Sequence, residues 1–80
     1  MDINSLLSIV KDQFIEDNLD LFTTSTNFKS LKSFDSLTAM AIITAVEDEY
    51  NITISSNHFK GITTVDELFK YILDKSLNHE

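Results

Sequence analysis

Ser36 is the residue whose setting points most directly to chemistry. It follows Asp35 at the start of an apolar, helix-periodic stretch, and an aspartate there predicts the beginning of a helix. The first turn of a helix leaves backbone N–H groups without intrahelical partners and carries the positive end of the dipole. A phosphodiester on Ser36 is favoured in such a place. Position alone does not single it out. The chain holds nine serines, and serines near helix starts commonly do no more than cap.

The remaining polar residues assemble nothing comparable. His58 and His79 are far apart in sequence, and neither has a metal-ligand partner at helical spacing. Tyr50 and Tyr71 read as core residues with polar tips. The acidic run Glu47-Asp48-Glu49 lacks the loop pattern of a calcium hand. No glycine-rich phosphate loop is present. Without cysteine there is no disulfide framework, thiolate nucleophile or cysteine-ligated metal. No base–nucleophile pair stands out, so the chain reads as a non-enzyme, with no catalytic and no metal-binding residue.

The elements that must position Ser36 follow from periodicity. Ile3, Leu6, Leu7, Val10 and Phe14 recur at steps of three and four, predicting a helix from about Asp2, as N-cap, to Asp17. Residues 18–35 form a long connection, its apolar Leu19, Leu21, Phe28, Leu31 and Phe34 expected to pin it to the core. A second helix spans Ser36 to about Tyr50 with Asp35 as N-cap. It is apolar over more than one stripe, so it is either central in the core or leaves a face for a partner. Its three acids sit at the end that the helix dipole disfavours. A short helical turn capped by Ser56 runs through Phe59 and Lys60, with Gly61 suited to a left-handed C-terminal residue. The last helix opens on Thr64-Val65-Asp66-Glu67, a capping box, and ends near Leu77. The expected fold is all-α: a four-helix bundle of three main helices and one short one, with a long first loop, in one domain over residues 1–80.

Composition sets the surroundings. With 13 acids against 6 bases, the net charge is −7. That repels nucleic-acid phosphates and anionic membranes, and suits partners with basic patches. The N-terminus lacks the basic and apolar regions of a signal peptide, and no segment approaches the roughly 20 apolar residues of a membrane span. A cytoplasmic monomer with no membrane insertion is expected.

Asp35-Ser36-Leu37 resembles the attachment signature of acyl carrier proteins. The resemblance extends to Val46-Glu47-Asp48-Glu49-Tyr50, to Ile52-Thr53-Ile54 and to the Phe59-Lys60-Gly61-Ile62-Thr63-Thr64-Val65 step into the last helix. Spacing agrees without a gap from Phe28 to Ile72, and the N-terminal helix agrees in pattern only. The resemblance implies that a phosphopantetheinyl transferase moves 4'-phosphopantetheine from coenzyme A onto Ser36, flanked by Asp35 and Leu37. The arm's thiol then carries acyl groups as thioesters, as in fatty acid biosynthesis and lipid metabolism. By the same resemblance, Met40, Thr44, Glu47 and Asp48 face acyl-transferring or condensing enzymes. Phe28, Ala39, Val46, Ile54, Phe59, Ile62, Leu68 and Tyr71 line an acyl pocket.

Four departures bear on partner choice. Ser33 and Lys32 stand where glycine and leucine are usual, and Thr38 and Ala41 replace early acids of the second helix. They suggest a specialised pathway rather than housekeeping fatty acid synthesis. Phe59 stands where a small residue is common, so a shortened pocket and a short or polar cargo are expected. Two other readings share the residues. One is an aminoacyl or peptidyl carrier using the same serine. The other is an unmodified acidic helical module that docks a partner through the second helix.

Overall fold

A computed structural model describes residues 2–14 and 19–78, with side chains described as far as residue 76. It contains α1 (Ile3–Lys11), α2 (Ser36–Tyr50), α3 (Ser56–Lys60) and α4 (Val65–Asn78), with a single 3-10 turn at Phe28–Ser30 in the first connection. No strand occurs among the described residues. The all-α, four-helix arrangement expected from periodicity is the one the chain adopts. α1 packs against both α2 and α4.

α1 begins as expected, the Asp2 carboxylate accepting from the Asn4 N–H at 3.2 Å. It ends earlier than expected, at Lys11 rather than Asp17. The reason lies in the turn after it. Gln13 and Phe14 donate to the carbonyls of Val10 and Lys11, three residues back, while the Gln13 side chain takes the Ile9 carbonyl at 2.9 Å. The tightened turn and the borrowed carbonyl stop propagation and swing Phe14 into the core. Glu16 and Asp17 lie outside the described residues, as does His79.

The long first connection is held by aromatic rings. Phe14, Phe28 and Phe34 lie within 6.2–6.5 Å of one another, centroid to centroid. Phe22 adds to Phe14 at 5.7 Å, and Phe59 stacks on Phe28 at 6.1 Å. Such offset and tilted pairs add to the area they bury. Two backbone bonds tie the same loop to the start of α4: Phe28 N–H to the Thr63 carbonyl, 3.0 Å, and Asp66 N–H to the Thr24 carbonyl, 2.9 Å. Leu21 is the exception among the apolar residues expected to pin this loop. It is 88% exposed and contacts solvent rather than core.

Two local expectations are corrected. Ser55, not Ser56, caps α3: its hydroxyl accepts from the His58 N–H at 3.1 Å. Gly61 has φ −88, an ordinary right-handed value, and the left-handed residue is Asn51, φ 57, at the end of α2. Asparagine tolerates that conformation because its short polar side chain bonds locally. The capping box of α4 forms in modified shape. Thr64 Oγ1 accepts from the Glu67 N–H, 3.1 Å, while the Glu67 carboxylate reaches back to Thr63 N–H at 2.7 Å.

The core is built from Leu6, Val10 and Phe14 of the first segment, Ile42, Ile43 and Val46 of α2, and Val65, Leu68 and Ile72 of α4, closed by the loop residues. Tyr50 is half-buried, and its hydroxyl has no hydrogen-bond partner among the described residues. Burial, together with the charges of Glu49 and Asp2, raises its ionisation above the usual phenol range.

Candidate functional site

Ser36 is the first residue of α2, and it is exposed. The cap is Asp35, whose carboxylate accepts from the Thr38 N–H at 2.9 Å. The Thr38 hydroxyl lies 3.1 Å from the same oxygen and donates to the Ser33 carbonyl at 2.8 Å. One threonine thus joins the residue before Ser36 to the chain three residues before it. These bonds, the Thr38 N–H first, hold the Asp35 carboxyl below its usual range and keep it an anion. Their combined effect is to fix the turn that presents Ser36, with the helix N-terminus behind it.

Beside Ser36 lies a groove of about 540 Å³ between α2, α3 and the end of the first connection. Phe34, Ala39, Met40, Ile43 and Phe59 form its apolar wall. Asp35, Ser36 and Ser56 stand at its edge with two lysines, Lys29 and Lys60. Lys29 Nζ donates to the Phe59 carbonyl and lies 4.6 Å over the Phe59 ring. Burial holds this ammonium below the usual lysine range, against the raising effect of the Glu67 carboxylate.

Of the residues expected to form an acyl pocket, Ala39 and Phe59 line this groove. Phe28, Val46, Ile54, Ile62 and Leu68 are buried in the core and do not line this groove. Tyr71 packs partly buried against that core and faces His58, ring centroids 5.1 Å apart. Phe59 is 4% exposed and lines the groove.

α2 resolves its excess of apolar residues by using two faces. Ile42, Ile43 and Val46 are buried, whereas Leu37 and Met40 are 80% and 55% exposed. Leu37, Met40, Thr44 and Asp48 fall at helical steps on one exposed stripe that starts beside Ser36. Glu47 is half-buried, its carboxylate accepting from the Ile54 N–H at 2.8 Å.

Sequence reasoning missed Thr38 as a clamp and the two lysines as neighbours. A threonine two residues after a serine carries no signal of its own. Lys29 and Lys60 border the same groove only because the first connection packs against α3, Lys29 reaching Phe59.

Residues 4–72 match the family model described as a phosphopantetheine attachment site. No solved structure matches the chain significantly.

Proposed function

We infer the function of this chain from the premise that it belongs to the phosphopantetheine attachment family, whose members carry 4'-phosphopantetheine covalently. Ser36 is the residue that takes the arm, and the chain serves as an acyl carrier, catalysing nothing itself. The observation that carries this reading is the setting of Ser36. It is an exposed hydroxyl at the first position of a long helix, in a turn fixed by Asp35 and Thr38, beside an apolar groove.

The donor set fits the group. A phosphodiester at Ser36 would lie at the positive dipole end of α2, beside first-turn N–H groups that have no intrahelical partner; the Thr38 N–H among them is already taken by Asp35. The Ser36 Oγ attacks a phosphorus of coenzyme A's pyrophosphate. A new P–O bond forms, the bond to adenosine 3',5'-bisphosphate breaks, and the hydroxyl proton passes to a base of a separate Mg²⁺-dependent phosphopantetheinyl transferase. Once attached, the group supplies the thiol that holds cargo as a thioester. The chain, free of cysteine, offers no competing thiol.

The exposed stripe Leu37, Met40, Thr44 and Asp48 supports a docking role for α2 toward enzymes with basic patches. Apolar anchors flanked by acids give both buried area and steering. Glu47 supports that surface from within by holding the turn after α2. The less acidic front of α2, where Thr38 and Ala41 stand, favours a specialised pathway over housekeeping fatty acid synthesis. No helix among the described residues is long and apolar enough to cross a membrane.

The test is intact mass after incubation with coenzyme A, Mg²⁺ and a broad-specificity transferase, with Ser36→Ala alongside. One added phosphopantetheine in the parent and none in the variant is the expected result. Modification of neither folded protein would overturn the reading in favour of an unmodified docking module.

A further inference from the structure

We propose that the groove beside Ser36 receives a short acyl group ending in a carboxylate, held by the ammonium groups of Lys29 and Lys60; the proposal rests on the carrier reading of Ser36. The chain has only 6 basic residues against 13 acidic ones, yet two of the six border this one groove. A protein of net charge −7 repels a free anion at long range. An anion tethered at Ser36 is not subject to that barrier; at short range it meets Lys29 and Lys60, whose two charges outweigh the one Asp35 carboxylate at the same edge, while Glu67 acts on Lys29 from nearby.

The two lysines are unlike in a way that suits the task. Lys29 is pre-positioned. Its Nζ is fixed by the Phe59 carbonyl and by the Phe59 ring beneath it. An ammonium has three N–H donors, and that carbonyl takes one. Its partial burial weakens hydration, so a carboxylate gains more from it than from a lysine in open water. Lys60 closes α3 with an exposed side chain and is free to follow the cargo.

The wall supplies the other half of the specificity. Phe34, Ala39, Met40, Ile43 and Phe59 cover a few methylenes and offer them no polar partner. The space is about 540 Å³, many times the roughly 30 Å³ of one water, and the buried Phe59 is part of its wall. A neutral chain satisfies the wall but offers no acceptor to the remaining N–H groups of Lys29 or to Lys60. A half-thioester of a short dicarboxylic acid satisfies both.

The experiment loads the arm from glutaryl-coenzyme A and, separately, from pentanoyl-coenzyme A. These acyl groups have the same carbon count and differ in the terminal carboxylate. Intact mass first confirms loading on Ser36. Failure to load would count against the carrier reading, and the proposal would fall with it. The loaded proteins are then cleaved by hydroxylamine at low ionic strength. The glutaryl-to-pentanoyl rate ratio is compared with that of the free coenzyme A thioesters. The expected result is a glutaryl thioester protected about fivefold beyond that reference, the factor that a partly shielded ion pair supplies. The protection shrinks in Lys29→Gln or Lys60→Gln. Lys60→Gln, at an exposed side chain, keeps the test decisive should Lys29→Gln fail to fold. A parent ratio equal to the free reference, or protection unchanged in every folded variant, would overturn the proposal while leaving the carrier reading intact.

Discussion

The Glu47 carboxylate accepts the backbone N–H of Ile54 at 2.8 Å, bridging the left-handed turn at Asn51 that ends α2. An acid near a helix C-terminus opposes the dipole, and this bond offsets that cost by satisfying a partly buried donor. Glu47→Ala leaves the Ile54 N–H without its partner. The expected loss is about 1–3 kcal/mol, read as a lower urea midpoint with an unchanged slope. Asp48→Ala, on the exposed stripe, is expected to shift the midpoint by no more than about 0.5 kcal/mol.

Acid stability follows from Asp35 and Glu67. The carboxyls of both lie below their usual range in the folded protein, held there first by the N–H groups of Thr38 and Thr63 respectively. The folded state therefore binds fewer protons than the unfolded state at these sites. Their contribution is complete above the ordinary values of 3.8 and 4.5 and is lost as pH falls through the lowered folded values. Urea midpoints measured from pH 6 downward should decline in the parent. The decline should be shallower in Asp35→Asn and in Glu67→Gln.

Phe28 is the ring on which the first connection depends, fully buried and in contact with Phe14, Phe34 and Phe59. Phe28→Ala is expected to cost about 3–5 kcal/mol. A domain of this length has only about 4–12 kcal/mol in total, so thermal melting should show a large fall or no folded baseline. Leu21→Ala, at a site 88% exposed, should leave the melting temperature nearly unchanged.

The backbone of Asn51, not that of Gly61, requires conformational freedom. Asn51→Ala forces an alanine to φ 57 and should cost about 1 kcal/mol, while Asn51→Gly should be tolerated. At Gly61 an added Cβ meets nothing closer than the His58 carbonyl at 3.7 Å. Gly61→Ala is therefore expected to stabilise by about 0.4–1 kcal/mol through the unfolded chain, checked by denaturant titration.

Leu37 and Met40 separate docking from folding. Their side chains are mostly exposed, so Leu37→Ala and Met40→Ala should keep the parent melting temperature. Enzyme-catalysed acylation of the arm should nevertheless slow in both, by about fivefold or more if either is an interface anchor. Equal acylation rates would remove α2 from the docking surface.

The sequence by itself determined the helices and the capped turn that presents Ser36. Ile3 to Val10 and Val65 to Ile72 carry a period that only a helix buries on one side, and the α2 segment is a long apolar run opened by the Asp35 cap. Asp35 and Thr64 announce their caps because capping is a bond between residues three apart. What depends on atoms distant in sequence was decided by the tertiary structure. α1 ends at Lys11 because the following turn delivers Phe14 to Phe22, Phe28 and Phe34. Six of the eight expected pocket residues pack within or against the core rather than lining the groove beside Ser36, because core and groove walls are equally apolar in sequence. Only packing distinguishes a filled space from an open one. Lys29 reaches Phe59 across thirty residues, and no local pattern records such a contact. Its energy belongs to the folded loop and not to either segment alone.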